Sequence, residues 1–367
     1  MPPRMRKSPD ILPAEAEIRP DPHAVGAGDT PALPPPALPL AGSAALDRLV
    51  ETAQGYVRQA VSENTLRAYG RDWTHFARWC RMRGADPLPA SPQLIGPYIA
   101  DLAAPHAGGS ALSVSSIERR LSGLVWGYAQ RGQALDRRDR HIAAVLAGIR
   151  RKHARPPVQK EAILPEDIRD MLASLPLDLR GLRDRAILLI GFAGGLRRSE
   201  IVALDHGRDD TPDSGGWVQI LEDGLLITLR GKTGWREVEI ARGSSSQTCP
   251  VQALGDWLHY SRIDFGPIFV AVSRNGLKAS ADRLSDKHVA RLIKQCVRDA
   301  GIRPDLPEAE RLRLYSGHSL RAGLASSAEV DERYIQKQLG HASAEMTRRY
   351  QRRRDRFRVN LTKAAGL

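Results

Sequence analysis

The sequence predicts a mainly α-helical protein with a small β-sheet, built from an N-terminal helical domain and a C-terminal α+β domain. Apolar residues recur at helical spacing over most of the chain beyond residue 45. Only three short segments have the character of strands, and turn sequences join them. The length of 367 residues exceeds that of one ordinary domain. These observations together predict two folded domains.

The N-terminal 44 residues differ from the rest in composition. Residues 1–44 hold 11 of the 25 prolines and no Phe, Trp or Tyr. Such a segment cannot bury enough apolar area to offset the entropy of folding. We therefore expect a disordered tail at 1–44, a helical domain at 45–150, a basic linker at 151–161 and a second domain at 162–367.

The first domain is expected to be a bundle of four or five helices. Ser62, Ser91 and Ser115–Ser116 are candidate helix starts, and Gly84 and Gly132 are candidate stops. A fourth helix is expected around Ile142 to Ile149. One stripe of large side chains has helical spacing and is expected to pack in the core: Leu66, Tyr69, Trp73, Phe76 and Trp79.

The second domain begins near Ala162 and is expected to combine helices with a β-meander. Pro165 suits the first turn of a helix, and residues 183–192 read as a buried helix. Strands are predicted at 217–221, 225–229 and 237–240, with turns at Glu222-Asp-Gly and Gly231-Lys-Thr-Gly. An amphipathic helix is expected from residue 285 to 301, and helices are expected from there to the end.

Charge and cysteine content limit the function. Lys and Arg number 55 against 42 Asp and Glu, so the net charge is +13. The larger share of this excess lies in residues 45–155, which favours a polyanionic partner. Three scattered cysteines exclude a disulfide framework and a cysteine-rich zinc site. No apolar run is long enough for a membrane span and no secretory signal is recognised, so we expect a protein of a reducing compartment such as the cytoplasm.

Four stretches of the second domain carry residues suited to phosphate chemistry. They are Gly194-Gly-Leu-Arg-Arg-Ser-Glu200, the hairpin lysine Lys232, Gly317-His-Ser-Leu-Arg321, and Leu339-Gly-His341 with Tyr350 nine residues on. Each alone has an ordinary structural explanation: a surface arginine, a turn lysine, a chance His-x-x-Arg, a helix stop at Gly340 or a packed tyrosine. Their order and spacing are what require a common explanation.

Together these stretches resemble the tyrosine site-specific recombinases, also called the phage integrase family, in its Cre and Xer branch. The first domain is also similar to that family's helical core-binding, SAM-like domain, through Thr65-Leu-Arg-Ala-Tyr-Gly-Arg-Asp-Trp and Phe76-Ala-Arg-Trp-Cys. The resemblance covers residues 45–360. It implies an α+β recombinase catalytic domain, a two-domain clamp around DNA and a place in the bacterial cytoplasm, associated with the nucleoid.

The resemblance assigns a role to each site residue. It implies that Tyr350 attacks a phosphodiester to give a 3′-phosphotyrosine and a free 5′-hydroxyl. The guanidiniums of Arg197 and Arg321 would bind the non-bridging oxygens. His318 would act as the base, and His341 would donate a hydrogen bond to the phosphate. Lys232 would act as the acid that protonates the leaving 5′-oxygen. Glu200 is interpreted as a structural partner of the active-site helix. Neither a metal, ATP nor another cofactor is expected.

The implied partners are double-stranded DNA with paired inverted-repeat half-sites and three further copies of the chain, forming a homotetramer on synapsed DNA. Strands would exchange in pairs through a Holliday junction. The C-terminal residues, Val359, Leu361, Ala364 and Ala365 among them, would dock on a neighbouring protomer, although packing on their own domain is the competing interpretation.

Two other functions remain open from the sequence. A type IB topoisomerase would use a similar Arg-Lys-Arg-His-Tyr set to relax supercoils as a monomer, and a regulator with a weak site would only bind DNA. The 20-residue spacing from Arg321 to His341 is shorter than in many relatives, and residues 325–330 are the expected place of the shortening.

Overall fold

The structure is a computed structural model that describes residues 48–49, 51–53, 55–56, 61–104, 111–156, 159–231, 234–340, 343–345 and 348. The chain divides into two compact units between residues 156 and 157. Four sets of predicted features lie outside the described residues: the tail at 1–44, Lys232, His341 with Tyr350, and the C-terminal segment 351–367.

The first unit contains the helices α1 (Glu63–Met82), α2 (Pro92–Ala103), α3 (Val114–Ala129) and α4 (Arg140–His153). Helix α1 packs against α3, and α2 packs against α4. The predicted stripe of α1 is confirmed for Trp73, Phe76 and Trp79, whereas Leu66 and Tyr69 are half-buried and lie outside the core cluster. Phe76 is fully buried and contacts the rings of Tyr98 and Tyr128 edge-on. Such aromatic pairs supply much of the apolar area that holds a small bundle together.

Two helices of this unit have boundaries that differ slightly from the sequence prediction. Helix α3 begins at Val114 and not at Ser115, because the Ser113 hydroxyl accepts a hydrogen bond from the Ser116 N–H and caps the helix. Residues 151–153, predicted as the start of the linker, continue α4 to His153. The basic side chains of this last turn suit the negative end of the helix dipole.

The second unit combines helices with two small sheets. Its helices are α5 (Pro165–Ala173), α6 (Leu179–Ala193), α7 (Arg198–Val202), α8 (Pro250–Ser261), α9 (Asp286–Asp299), α10 (Glu308–Leu314), α11 (His318–Ser327) and α12 (Glu332–Leu339), with a 3-10 turn at Ser246–Thr248. Its strands are β1 (Leu204–Asp205), β2 (Gly216–Ile220), β3 (Gly224–Gly231), β4 (Gly234–Ala241), β5 (Val270–Val272) and β6 (Ala279–Arg283). The predicted mainly α architecture with a small sheet is confirmed.

The main sheet has the strand order β1-β2-β3-β4, with β1 and β2 parallel and the other pairs antiparallel. The three predicted strands correspond to β2, β3 and β4. Strands β5 and β6 form a separate hairpin that the sequence analysis did not predict. The sheet, α6 and α8 share one apolar core, in which Trp257 of α8 is fully buried.

Helices α6, α7 and α11 meet closely, and this contact positions the site. Gly191 of α6 leaves room for the side chains of Ile201 and Leu320, since a Cβ there would lie 2.8 and 2.9 Å from their Cδ1 atoms. The N-terminal ends of α7 and α11 lie beside each other, because a Cβ at Gly317, just before α11, would lie 3.0 Å from Cβ of Arg198, the first residue of α7. No helix among the described residues has the length and apolar content needed to cross a membrane.

Candidate active site

Arg197 stands at the N-terminal end of α7, directly after a tight glycine turn. Gly195 has a φ of +55°, a left-handed conformation that glycine adopts at little cost. A Cβ at Gly195 would lie 2.4 Å from Cδ2 of Leu339 and 2.9 Å from Cδ2 of Leu324. The turn therefore requires glycine for both its backbone conformation and its close packing against α11 and α12.

Glu200 fixes the Arg197 side chain and the start of α7 together. Its Oε2 accepts a hydrogen bond from the Arg197 backbone N–H at 2.8 Å, and its Oε1 accepts one from Nη1 of Arg197 at 2.5 Å. The Glu200 side chain is only 7% exposed, whereas that of Arg197 is 27% exposed. Glu200 is thus the structural partner that the sequence analysis expected, and Arg197 retains access to solvent.

Arg321 lies on the first turns of α11 and reaches across to two other elements. Arg321 is almost completely buried, with 1% of its surface exposed. Nη1 donates to the carbonyl oxygen of Gly195 at 2.7 Å, and Nη2 donates to that of Leu339 at the end of α12. This guanidinium therefore joins α11, the glycine turn before Arg197 and the end of the helix that precedes His341.

His318 is the first residue of α11 and lies near both arginines. The preceding Gly317 packs on Arg198, since a Cβ there would lie 3.0 Å from the Arg198 Cβ. Removal of water by the surrounding protein lowers the pKa of His318 from its ordinary value of 6.5, and the positive charges of Arg321 and Arg197 lower it further. The imidazole is accordingly neutral near neutral pH and can accept a proton.

The structure thus brings together three of the six predicted site residues, Arg197, His318 and Arg321. The other three, Lys232, His341 and Tyr350, lie outside the described residues. The described residues on either side of Lys232 still give information. Gly231 and Gly234 pair across the β3–β4 turn that contains Lys232, and a Cβ at Gly231 would lie 3.7 Å from Oε1 of Glu200.

Arg236 on β4 is a residue of this site that the sequence analysis missed. Its Nη2 donates to Oε2 of Glu200 at 2.9 Å, and its Nη1 donates to the carbonyl oxygen of Gln338 at 2.5 Å. Burial lowers the pKa of its guanidinium, while the charge of Glu200 opposes that shift. The signal in the sequence was the alternation of β4, which places residue 236 on the same face as the buried Val238 and Ile240.

The comparisons with known proteins agree with this fold. Residues 161–356 match the model of the phage integrase family. An integrase/recombinase XerD homologue from Selenomonas ruminantium is 31% identical over 328 residues, which cover 86% of this chain and 89% of the relative. The tyrosine recombinase XerD of Bradyrhizobium diazoefficiens is 28% identical over 311 residues, which cover 80% of this chain and 87% of the relative.

Two solved structures have a similar fold. The XerH site-specific recombinase, bound to a palindromic difH substrate in a post-cleavage complex, gives a TM-score of 0.54 at 16% identity and covers 89% of this chain and 84% of its own. The Tn1549 transposon integrase with transposon right-end DNA gives 0.50 at 15% identity and covers 82% and 92%. At these identities the likeness shows the fold alone.

The fold, the clustered arginines and the relatives define a DNA-cleaving and rejoining enzyme of the site-specific tyrosine recombinase class. The chain belongs to the phage integrase family, whose model matches more than half of its length. DNA is accordingly its macromolecular partner.

Proposed function

We propose that this chain recombines DNA through a covalent 3′-phosphotyrosyl intermediate, with Tyr350 as the nucleophile. The observation that carries the proposal is the meeting of Arg197, Arg321 and His318 at the adjoining ends of α7 and α11. Two guanidiniums beside an imidazole form a cationic surface that is suited to a phosphodiester under attack. Tyr350 follows in the same domain, at the spacing typical of the family.

The two arginines have complementary tasks in this mechanism. The pentavalent transition state places extra negative charge on the non-bridging oxygens of the scissile phosphate. Guanidiniums can stabilise this charge with paired hydrogen bonds, because their N–H groups lie in a rigid plane. Arg197, held by Glu200 and 27% exposed, binds the phosphate from the solvent side. Arg321 acts from the buried side and fixes the surrounding backbone at the same time.

His318 serves as the base that takes the proton from Tyr350. A free tyrosine hydroxyl has a pKa of about 10, so attack at neutral pH requires a base or a strongly cationic surrounding. The lowered pKa of His318 keeps its imidazole neutral and able to accept this proton. The tyrosyl oxygen then forms a bond to phosphorus, and the bond from phosphorus to the 5′-oxygen breaks.

Lys232 supplies a proton to the departing 5′-oxygen, and His341 donates a hydrogen bond to the phosphate. The location of Lys232 between Gly231 and Gly234 supports this role, because that turn begins beside Glu200. The phosphotyrosine conserves the energy of the phosphodiester, so a 5′-hydroxyl can reverse the reaction and reseal the strand. The step balances without a metal or ATP.

At the level of the assembly, we propose that the helical unit at 45–150 and the catalytic unit at 162–367 clamp a duplex with inverted half-sites. Four copies would then exchange strands through a Holliday junction. The palindromic difH substrate of the XerH relative supports inverted half-sites, since a two-fold arrangement of protomers matches a two-fold DNA sequence. The net charge of +13 supports extensive contact with phosphates.

The test is covalent trapping on nicked duplexes tiled across the DNA that flanks the gene. A nick next to the scissile phosphate lets the short 5′-hydroxyl fragment diffuse away and leaves the protein attached to the 3′-phosphate. We expect an adduct with the wild type and none with Tyr350→Phe, while band shifts show equal DNA binding. An undiminished adduct in the variant, or attachment to the 5′ side of the break, would overturn the proposal.

A further inference from the structure

Arg236 occupies a place in the sheet where a charge is costly. It lies on the inward face of β4, in alternation with the buried Val238 and Ile240, and its side chain is only 11% exposed. A buried guanidinium must be paired and hydrogen-bonded to offset the loss of hydration. Its contacts therefore indicate why an arginine stands there.

The first contact joins Arg236 to the proposed phosphate ligand Arg197 through one carboxylate. Glu200 Oε2 accepts hydrogen bonds from Nη2 of Arg236 at 2.9 Å and from the backbone N–H of Arg197 at 2.8 Å. Glu200 Oε1 accepts a hydrogen bond from Nη1 of Arg197 at 2.5 Å. Arg236 thus fixes the carboxylate that in turn fixes the Arg197 side chain.

The second contact joins Arg236 to the end of α12. Nη1 donates to the Gln338 carbonyl at 2.5 Å, in the last turn of the helix. Gly340, which directly precedes His341 in the chain, ends the helix with a φ of +58°, and a Cβ there would lie 2.8 Å from Cδ of Arg236. Gln338 also donates from Nε2 to the Glu239 carbonyl of β4 at 3.0 Å.

We propose that Arg236 is a positioning residue for strand cleavage, which holds Arg197 through Glu200 while it fastens the end of α12 that leads to His341. The inference rests on the proposed role of Arg197 in binding the scissile phosphate. Arg197 and the end of α12 then stand at a fixed spacing before DNA arrives. Such preorganisation spares the reaction the cost of orienting them in the transition state.

The two separate contacts suit an arginine. Its planar fork directs separate N–H groups toward Glu200 and Gln338, whereas a lysine offers one ammonium on a flexible stem. Fold stability alone does not account for it, because the buried Nε has no hydrogen-bond partner among the described residues. A well-packed apolar side chain at this position would avoid that cost.

The first experiment measures single-turnover cleavage and DNA affinity of Arg236→Met and Arg236→Lys, on the nicked duplex selected by the trapping assay. We expect cleavage at saturating DNA to slow roughly 10- to 100-fold in both variants, as a misplaced catalytic group would cause, with the dissociation constant nearly unchanged. The matched control is Arg242→Met, because Arg242 is an exposed arginine just after β4 that also donates to a backbone carbonyl, that of Glu222 at 2.6 Å. The control should cleave at the wild-type rate.

The second experiment is a double-mutant cycle with Arg197→Ala. A 5′-bridging phosphorothiolate substrate keeps slow variants measurable, because its leaving group needs no proton. If Arg236 acts in part through Arg197, adding Arg236→Met should slow Arg197→Ala less than it slows the wild type, so that the combined defect falls short of the product of the two single defects. Arg236→Lys retains the charge and serves in the same cycle if the methionine variant does not fold.

Each outcome has a separate meaning. Normal cleavage by both Arg236 variants, or defects that multiply with Arg197→Ala, would overturn the positioning role while leaving the proposed function intact. An equal loss in the Arg242 control would also overturn it, because the defect would then reflect general damage to the sheet. Full cleavage by Arg197→Ala alone would instead contradict the proposed function on which this inference rests.

Discussion

At the residue scale, burial and two nearby positive charges act on the imidazole of His318, the proposed base. Arg321 and Arg197 both disfavour protonation of His318, and the loss of surrounding water is a larger cause. The unfolded chain binds this proton more tightly than the folded one. The contribution of His318 to the free energy of unfolding therefore decreases as the pH falls below about 6.5, where the unfolded imidazole takes up a proton.

This arrangement predicts the titration of His318 in the free protein. In an NMR titration, with His318→Gln used to assign the signal, we expect a pKa below the ordinary value of 6.5. Arg197→Ala should raise this pKa, yet leave it below 6.5, because burial and Arg321 still act. An unshifted imidazole, or no response to Arg197→Ala, would show that these charges do not act on the proposed base.

At the element scale, the glycine turn before α7 connects the site residues to the packed helices α11 and α12. Gly195 packs against Leu324 of α11 and Leu339 of α12, and its carbonyl oxygen accepts the hydrogen bond from Arg321. A side chain at this position would have to displace two helices and would also face a strained backbone conformation.

Gly195→Ala should therefore cost more stability than an alanine at another left-handed glycine. Gly301 is the matched control in the same unit, since its φ is +66° and nothing lies within 4 Å of a Cβ built there. The left-handed backbone conformation should lower the free energy of unfolding of both variants by about 1–2 kcal/mol. Overpacking should lower that of Gly195→Ala by about 1–3 kcal/mol more. Urea denaturation compares them, and equal losses of unfolding free energy would show that the turn is not tightly packed.

The same scale shows what the sequence can predict. Helices with caps and regular apolar spacing, such as α1 after Ser62, were predicted closely because local signals define them. The two-residue strand β1 carries no such signal, since its pairing with β2 is decided by tertiary contact. The hairpin of β5 and β6 did carry one, because Asn275-Gly276 is a favoured turn pair between the two strands.

For the site, ordered motifs could predict which residues belong together but not what holds them. Arg197, His318 and Arg321 come together as the motif order implied, although 126 positions separate Gly195 from Arg321. The role of Arg236 depends on a contact with the end of α12, 102 positions away, which no local pattern encodes. Contacts at such separations follow from the packing of the whole unit.

At the scale of the whole molecule, charge and fold agree on a DNA-acting enzyme. The net charge of +13 favours association with a phosphate backbone, and the family membership defines the reaction as cleavage and rejoining. A recombinase and a type IB topoisomerase would both cleave and rejoin a single DNA strand in this way. They differ in whether two DNA sites must be brought together before strands exchange.

The most direct measurement is therefore a recombination assay on plasmids with one or two copies of the trapped site, carried out in EDTA. The account predicts recombinant circles or inversions from the two-site plasmid, none from the one-site plasmid, and none with Tyr350→Phe. EDTA should not inhibit the reaction, because arginines supply the positive charge at the phosphate. Relaxation of supercoils on both plasmids without recombinant products, or loss of all cleavage in EDTA, would contradict the account.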